Sequence, residues 1–312
     1  MKTARVVLIT CLLSSAAWAS DGPGAQQPGE YPLLELARSL EATRKPRAPL
    51  DLNAPDLRQA EHALRQANAP ADENCARSLG ALVFAELHAD VAQARKAKGD
   101  IAGAIQAYRR AQACAPRNTR VLASLADALF DSRDVAAAQE VVTAALAINP
   151  RGVYLTRVAA SIDFVEERWA AAVAGFRYVA ASEPDRVRAA YGQLMYWLAQ
   201  ARAGVKQPEF VARRHTDGWP RPLLLYMQGQ YSEAELVTAV QEDYGEAGVG
   251  PDERLCEALY YVGESYWARG QPQVARDYFA AMVNIKVIHY VEHGLALAEI
   301  AKLARLANPQ ND

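Results

Sequence analysis

Three segments of the chain begin 34 residues apart and follow one pattern: GDIAGAIQAYRRAQACAP (99–116), RDVAAAQEVVTAALAINP (133–150) and ERWAAAVAGFRYVAASEP (167–184). In each segment a small residue is followed, four positions later, by a larger one, then by a second apolar residue and a final proline. The aligned positions are Ala104, Ala138 and Ala172; Tyr108, Val142 and Phe176; Ala111, Ala145 and Val179; and Pro116, Pro150 and Pro184. Four matching sets in one frame predict an internal repeat.

The spacing inside each segment is that of a helix. Residues four apart lie on the same helical face, so the small side chain allows a close helix–helix approach and the large one fills the space beside it. Proline ends the helix because it has no N–H and clashes with the preceding turn. A 34-residue unit of two helices is the tetratricopeptide repeat (TPR), whose hairpins stack around a shared core. The sequence therefore predicts an all-α TPR superhelix (solenoid).

The repeat frame also divides the rest of the chain. A fourth first helix is expected at about 186–203. Gly218, Pro220 and Pro222 rule out a continuous helix after it, and the frame returns near residue 256. We expect short helices at about 31–43, 54–67 and 71–83, and a last helix at about 288–306. The predicted parts are a leader (1–19), a disordered linker (20–30), an N-terminal helical cap (31–84), TPR repeats (85–203), an interrupted helical segment (204–255), and a C-terminal TPR with a capping helix (256–308).

The first 19 residues have the organisation of a secretory signal peptide. Lys2 and Arg5 precede the apolar run VVLITCLL, and Ala17-Trp18-Ala19 provides a cleavage site after Ala19. No later stretch is apolar enough to predict a membrane span. The expected mature protein is therefore periplasmic or secreted. Loss of Lys2 and Arg5 would move its net charge from −2 to −4, and the absence of a basic block argues against nucleic-acid binding.

Three cysteines would remain after cleavage: Cys75, Cys114 and Cys256. An oxidising compartment permits a disulfide, but an odd number leaves at least one cysteine free or intermolecular. Whether Cys75 and Cys114 pair is left open by the sequence, as is dimerisation of the stack.

The string HYVEH (289–293) matches the H-x-x-E-H signature of inverted zinc peptidases. His289 and His293 would share a helical face, with Glu292 beside them. Such a site needs a third protein ligand, and Glu299 lies six residues beyond His293, on a different side of the helix. A metal-dependent hydrolase is accordingly the alternative hypothesis. We expect no catalytic residue, metal or cofactor.

The segments GWPRPLLLYMQGQYSEAELV (218–237) and YYVGESYWARGQPQVARDYFAAMVNIKVIHYVEHGLALAEIAKL (260–303) carry a resemblance to a known family. Residues 210–303 resemble the NlpI family of envelope TPR lipoproteins. The resemblance implies a non-catalytic adaptor for peptidoglycan hydrolases or a periplasmic protease. A convincing lipid-acceptor motif is absent, so outer-membrane attachment and the shared partners stay open. An accessory subunit of a secretion or polysaccharide-export system is a further alternative.

The concave wall of a TPR stack is formed by the first helices of its repeats, and partners bind there. The family's pattern places arginine, tyrosine and acidic residues on this wall. A guanidinium can bind a carboxylate at two points, and aromatic rings supply contact area at little entropic cost. The predicted partner-binding residues are Arg120, Asp127, Phe130, Tyr154, Arg157, Ser161, Phe164, Arg188 and Tyr191.

Overall fold

A computed structural model describes residues 31–41, 56–68, 75–211, 217–242, 249–285 and 291–307 of the chain. Within these ranges the chain forms fourteen helices and no strand, which confirms the predicted all-α helical repeat. The predicted leader and linker lie outside the described residues. Among the described helices, none is long and apolar enough to cross a membrane.

The helices follow one another with short connections through most of the described chain. They are α1 (Pro32–Glu41), α2 (Leu57–Gln66), α3 (Ala81–Ala97), α4 (Ile101–Cys114), α5 (Thr119–Asp131), α6 (Val135–Ile148), α7 (Val153–Val165), α8 (Trp169–Ser182), α9 (Arg186–Arg202), α10 (Arg221–Met227), α11 (Glu233–Gln241), α12 (Pro251–Ala268), α13 (Pro272–Ile285) and α14 (Val291–Ala307).

Three helix pairs, α3–α4, α5–α6 and α7–α8, form the hairpins that the 34-residue period predicts. Asp100 and Asp134 cap the second helices of the first two pairs, because each carboxylate accepts a hydrogen bond from a backbone N–H three residues on. The small aligned residues Ala104, Ala138 and Ala172 are fully buried where paired helices meet. The repeat pattern is therefore a record of helix packing.

The C-terminal part continues the stack after α9. The short helix α10 has Pro222 in its first turn, where a missing N–H costs nothing. The next helix, α11, begins with a capping box in which Ser232 and Glu235 satisfy each other's backbone N–H groups. A further hairpin, α12–α13, packs against α9 through α12.

The N-terminal region differs from the predicted cap. Helix α2 packs on α3, but α1 packs against α11, α12 and α13, about 200 residues or more along the chain. The backbone N–H of Leu33 donates to the buried carboxylate of Glu233 at 3.0 Å, and the Tyr31 ring meets those of Tyr266 and Tyr278 edge-on. These nonlocal contacts fix α1 at the opposite end of the stack.

A disulfide joins Cys75 to Cys114, with Cα atoms 4.6 Å apart, whereas Cys256 is buried and not part of a disulfide. The bond ties the segment before α3 to the end of α4. Continuous helix starts only at Ala81, so the described part of the helix expected over 71–83 is mostly turn.

The last helix, α14, packs on α13 and α12 and also reaches α5 and α7. It was expected to cap the stack. Because α5 and α7 are first helices of repeats, α14 also lies across part of the concave wall, in addition to packing on the last hairpin.

Candidate binding site on the concave wall

A cavity of about 620 Å³ opens between α7, α8, α9, α12 and α14. Its floor is apolar, with Phe176, Val179, Met195, Tyr261 and Leu295 among its lining residues. The volume is within the range of pockets that hold small ligands or peptide side chains. Five of the nine predicted partner-binding residues line this cavity: Tyr154, Arg157, Ser161, Arg188 and Tyr191.

Tyr154 and Arg157 form one edge of the cavity. They are three residues apart on α7, so their side chains share a face. The Arg157 guanidinium carbon lies 4.7 Å from the centre of the Tyr154 ring, in a cation–π arrangement. Arg157 is only partly exposed, and its Nη2 donates to Asp127 Oδ1 at 3.2 Å. The ring and the carboxylate hold the guanidinium in place beside the cavity.

Asp127 is buried and accepts the hydrogen bond from Arg157. Lys96 Nζ lies 2.5 Å from Asp127 Oδ2 and 2.7 Å from Asp131 Oδ2. Burial would raise the pKa of Asp127, but Lys96 and Arg157 outweigh it and lower the pKa to about 2. Burial raises the pKa of Asp131 to about 6, against the effect of Lys96 and with that of Asp127. Asp127 therefore positions Arg157 and is not itself presented to a ligand.

Three other predicted contact residues lie away from the cavity. Phe130 and Phe164 are buried in the core, and the Phe164 ring packs edge-on against Trp169 at 5.4 Å between ring centres. Their rings fill the space between helices, since burying a large apolar ring there is more favourable than exposing it on the wall. Arg120 is exposed and pairs with Glu86 at another part of the surface.

Ser161 lines the cavity, but its hydroxyl already donates to the Arg157 carbonyl at 3.0 Å. Ser161 therefore adds a small polar surface to the cavity, while its hydroxyl proton is donated within α7.

A buried carboxylate, Glu257, lies on the far side of the cavity. Tyr191 Oη and Trp219 Nε1 both donate to Glu257 Oε2, each at 2.6 Å. Glu257 and Trp219 are not predictable from the sequence, because nothing in their local pattern distinguishes them from other helix and turn residues. These bonds fix Tyr191 with its ring against the cavity.

Arg188 lies at the cavity mouth, and its side chain is 71% exposed. Its Nε donates to Glu183 Oε1 at 3.3 Å. This contact uses the Nε of the guanidinium, and a largely exposed arginine at a cavity mouth is suited to bind a carboxylate.

The zinc-site hypothesis falls largely outside the described residues. His289 is not among them, and the side chains of Glu292 and His293 are likewise not described. Elsewhere in the described part of the chain, no group of three or more histidine, cysteine or acidic side chains is arranged to hold a metal ion. The Glu299 carboxylate is bound to Arg202 and Lys302.

A family model of the tetratricopeptide repeat matches residues 95–161, which run from the end of α3 into α7. Together with the helical repeat, this match supports a TPR protein. No curated protein sequence matches the chain. The resemblance of residues 210–303 to the NlpI family remains a prediction.

Proposed function

We propose that this protein is an exported, non-catalytic TPR adaptor that holds segments of partner proteins on its concave wall. The observation that carries the proposal is the cavity bordered by Tyr154, Arg157, Arg188 and Tyr191. TPR folds typically bind proteins and do not catalyse reactions. An apolar cavity with a few fixed polar groups is the usual form of a recognition site.

The chemistry of the cavity defines the segment it would take. Phe176, Val179 and Met195 offer an apolar floor to a large side chain. Arg188 at the mouth offers its largely exposed guanidinium to a carboxylate. The favoured ligand is a peptide segment in which a bulky apolar residue neighbours an acidic group.

The cell envelope is the proposed place of action. The signal-peptide pattern of residues 1–19 favours export, and the Cys75–Cys114 bond suits an oxidising compartment. The resemblance to the NlpI family favours peptidoglycan hydrolases or a periplasmic protease as partners. These partners are part of the proposal.

Crosslinking capture from a detergent-solubilised envelope fraction tests the adaptor function. The bait is the mature protein, compared with the double variant Tyr154→Ala/Arg157→Ala and the single variant Arg188→Gln. We expect identified hydrolases or a protease on the wild-type bait, a loss of about tenfold or more with the double variant, and a smaller loss with Arg188→Gln, which removes one charged hydrogen-bonding group.

Arg177→Ala/Tyr178→Ala is the matched control, because this arginine–tyrosine pair lies on α8 and does not line the cavity. Its capture should equal that of wild type. If the cavity variants and the control retain the same partners, the concave wall is not the binding surface. Recovery of none of the named classes would contradict the envelope role.

A further inference from the structure

One wall of the cavity is supplied by the last helix. Leu295 of α14 lines the cavity, and α14 contacts both α5 and α7. Gly294, one residue earlier, faces Asp131 of α5, with space for ordinary contact and no crowding. Displacement of α14 would therefore open the cavity and uncover more of the concave wall.

A buried ion cluster holds α14 in this position. Glu299 Oε2 lies 3.3 Å from Arg202 Nη2, and Arg202 Nη1 lies 2.8 Å from Glu264 Oε2. The two carboxylate side chains are fully buried and that of Arg202 is 5% exposed. The cluster thus joins α9, α12 and α14 through a single guanidinium.

The guanidinium is fixed independently of α14. Its carbon lies 4.1 Å from the Trp267 ring centre and 5.2 Å from that of Trp169. Cation–π contact with two aromatic rings restricts the positions that an arginine can take. These rings belong to α8 and α12, so they hold Arg202 whether or not α14 is docked. Docking of α14 brings the Glu299 carboxylate to the Arg202 guanidinium.

The charges in the cluster do not balance. Glu264 faces Arg202 of α9 and, from α14, both Glu299 and Lys302; Tyr260 of α12 lies near Arg202. Lys302 is shared with Glu167, at 3.3 Å. With every carboxylate ionised, the three negative charges of Glu167, Glu264 and Glu299 face the two positive charges of Arg202 and Lys302. In addition, Glu264 Oε1 is buried with no hydrogen-bond partner in the described structure.

We propose that α14 is a movable wall of the binding cavity, latched by Glu264 and Glu299 on Arg202, and that one proton taken up by this carboxylate pair tightens the latch. The proposal rests on the proposed function for its biological meaning, since it concerns access to the same cavity. As pH rises, the latch weakens and the concave wall becomes more accessible.

The direction follows from what α14 does to Glu264. Burial, opposed by Arg202 and assisted by the Glu299 charge, raises the pKa of Glu264 to about 7. Release of α14 admits water and removes Glu299, so the pKa falls back toward its ordinary value. The docked helix therefore binds the proton more tightly. Docking is strongest in acid, weakens as pH rises toward about 7, and changes little above that pH because Glu264 is then ionised in both states.

Asp131 of α5 also faces α14, next to Gly294. Burial raises its pKa to about 6, so its proton also favours the docked helix, at a lower pH than that of Glu264. The two contributions are separable by their pH range and by variants Asp131→Asn and Glu264→Gln.

Hydrogen exchange of the full-length mature chain, followed by mass spectrometry, tests the latch without any ligand. Exchange rates are corrected for the intrinsic effect of pH. We expect α14 amides to be roughly five- to tenfold less protected near pH 7 than near pH 6, since one linked proton allows at most about tenfold per pH unit, and nearly equally protected at pH 7 and pH 8. Amides of α5 and α6 should keep their protection. Glu264→Gln, which carries a neutral side chain at every pH, should keep α14 protected in all these conditions.

Glu233→Gln is the matched control, because Glu233 is a buried carboxyl that contacts α1 and not α14. Its α14 amides should respond to pH as in wild type, and Asp131→Asn should retain most of the response between pH 6 and pH 7. Wild-type protection that is independent of pH, or an unchanged pH response in Glu264→Gln, overturns the proposal. Because no partner is used, failure to find a ligand for the cavity leaves this result intact.

Discussion

At the scale of single residues, Asp127 occupies a predicted ligand-contacting position but has a structural role. The family's pattern predicts it on the binding wall, and it does lie next to Arg157. Its carboxylate, however, is enclosed between Lys96 and Arg157, so its charge is fully used inside the protein. A ligand meets the arginine that Asp127 positions.

Asp127→Asn should lower the free energy of unfolding by about 3 kcal/mol at neutral pH, because it leaves Lys96 with less compensation in a buried site. The pKa of Asp127 is lowered to about 2, so its contribution should be present above about pH 4 and be lost as pH falls through about 2. Chemical denaturation of both proteins at neutral and acidic pH measures this.

Asp163→Asn is the control for that comparison. Asp163 also pairs with an arginine, Arg168, at 2.7 Å, but that arginine is largely exposed. The expected cost is under about 1 kcal/mol. Equal losses in the two variants would show that the Asp127 pair contributes no more than a surface ion pair.

At the scale of elements, α1 is stable only through its distant neighbours. A helix of ten residues is marginal in isolation. Leu33, Leu34 and Ala37 are buried, and Glu233 acts as an acceptor at the helix's first turn. Tyr266 and Tyr278 also donate to Glu233, so one carboxylate connects α1, α11, α12 and α13.

Glu233→Ala should detach α1, because the Leu33 N–H and two tyrosine hydroxyls lose their acceptor at once. Arg38 lies within α1, so trypsin cleavage at Arg38 becomes the readout. We expect cleavage there to accelerate about tenfold or more. Thr238→Ala, at an exposed site on α11, should leave the rate unchanged. Equal rates in all three proteins would mean that Glu233 does not hold α1.

At the scale of the whole molecule, the Cys75–Cys114 bond constrains the unfolded chain across a sequence separation of 39 residues. A loop of that size corresponds to about 4 kcal/mol in the chain-entropy estimate. Reduction of the wild-type protein should lower its free energy of unfolding by about this amount. The measurement is denaturant unfolding with and without dithiothreitol.

The double variant Cys75→Ala/Cys114→Ala should resemble the reduced wild type and be insensitive to the reductant. Cys256→Ala should still respond, since Cys256 is not part of the disulfide. A wild-type protein whose stability does not change on reduction would contradict the stabilising role of the bond.

The sequence by itself determined the repeat. Ala104 and Tyr108, like their counterparts in the next two repeats, are set by contacts between helices adjacent in the chain, so a local pattern records them. The binding positions known for the tetratricopeptide repeat predicted Tyr154, Arg157, Arg188 and Tyr191 on one wall, and in the structure these residues line one cavity.

Only the tertiary structure decided which surface each outlying helix covers. Helical periodicity defines the face of α1 or α14 that is apolar, but many exposed faces in the stack could accept it. The choice depends on distant partners, Glu233 for α1 and Arg202 for α14, that no local pattern connects to them. The same reason explains why Phe164 is in the core while Arg157 lines the cavity. Both residues occupy predicted wall positions, but packing of neighbouring helices buries the Phe164 ring.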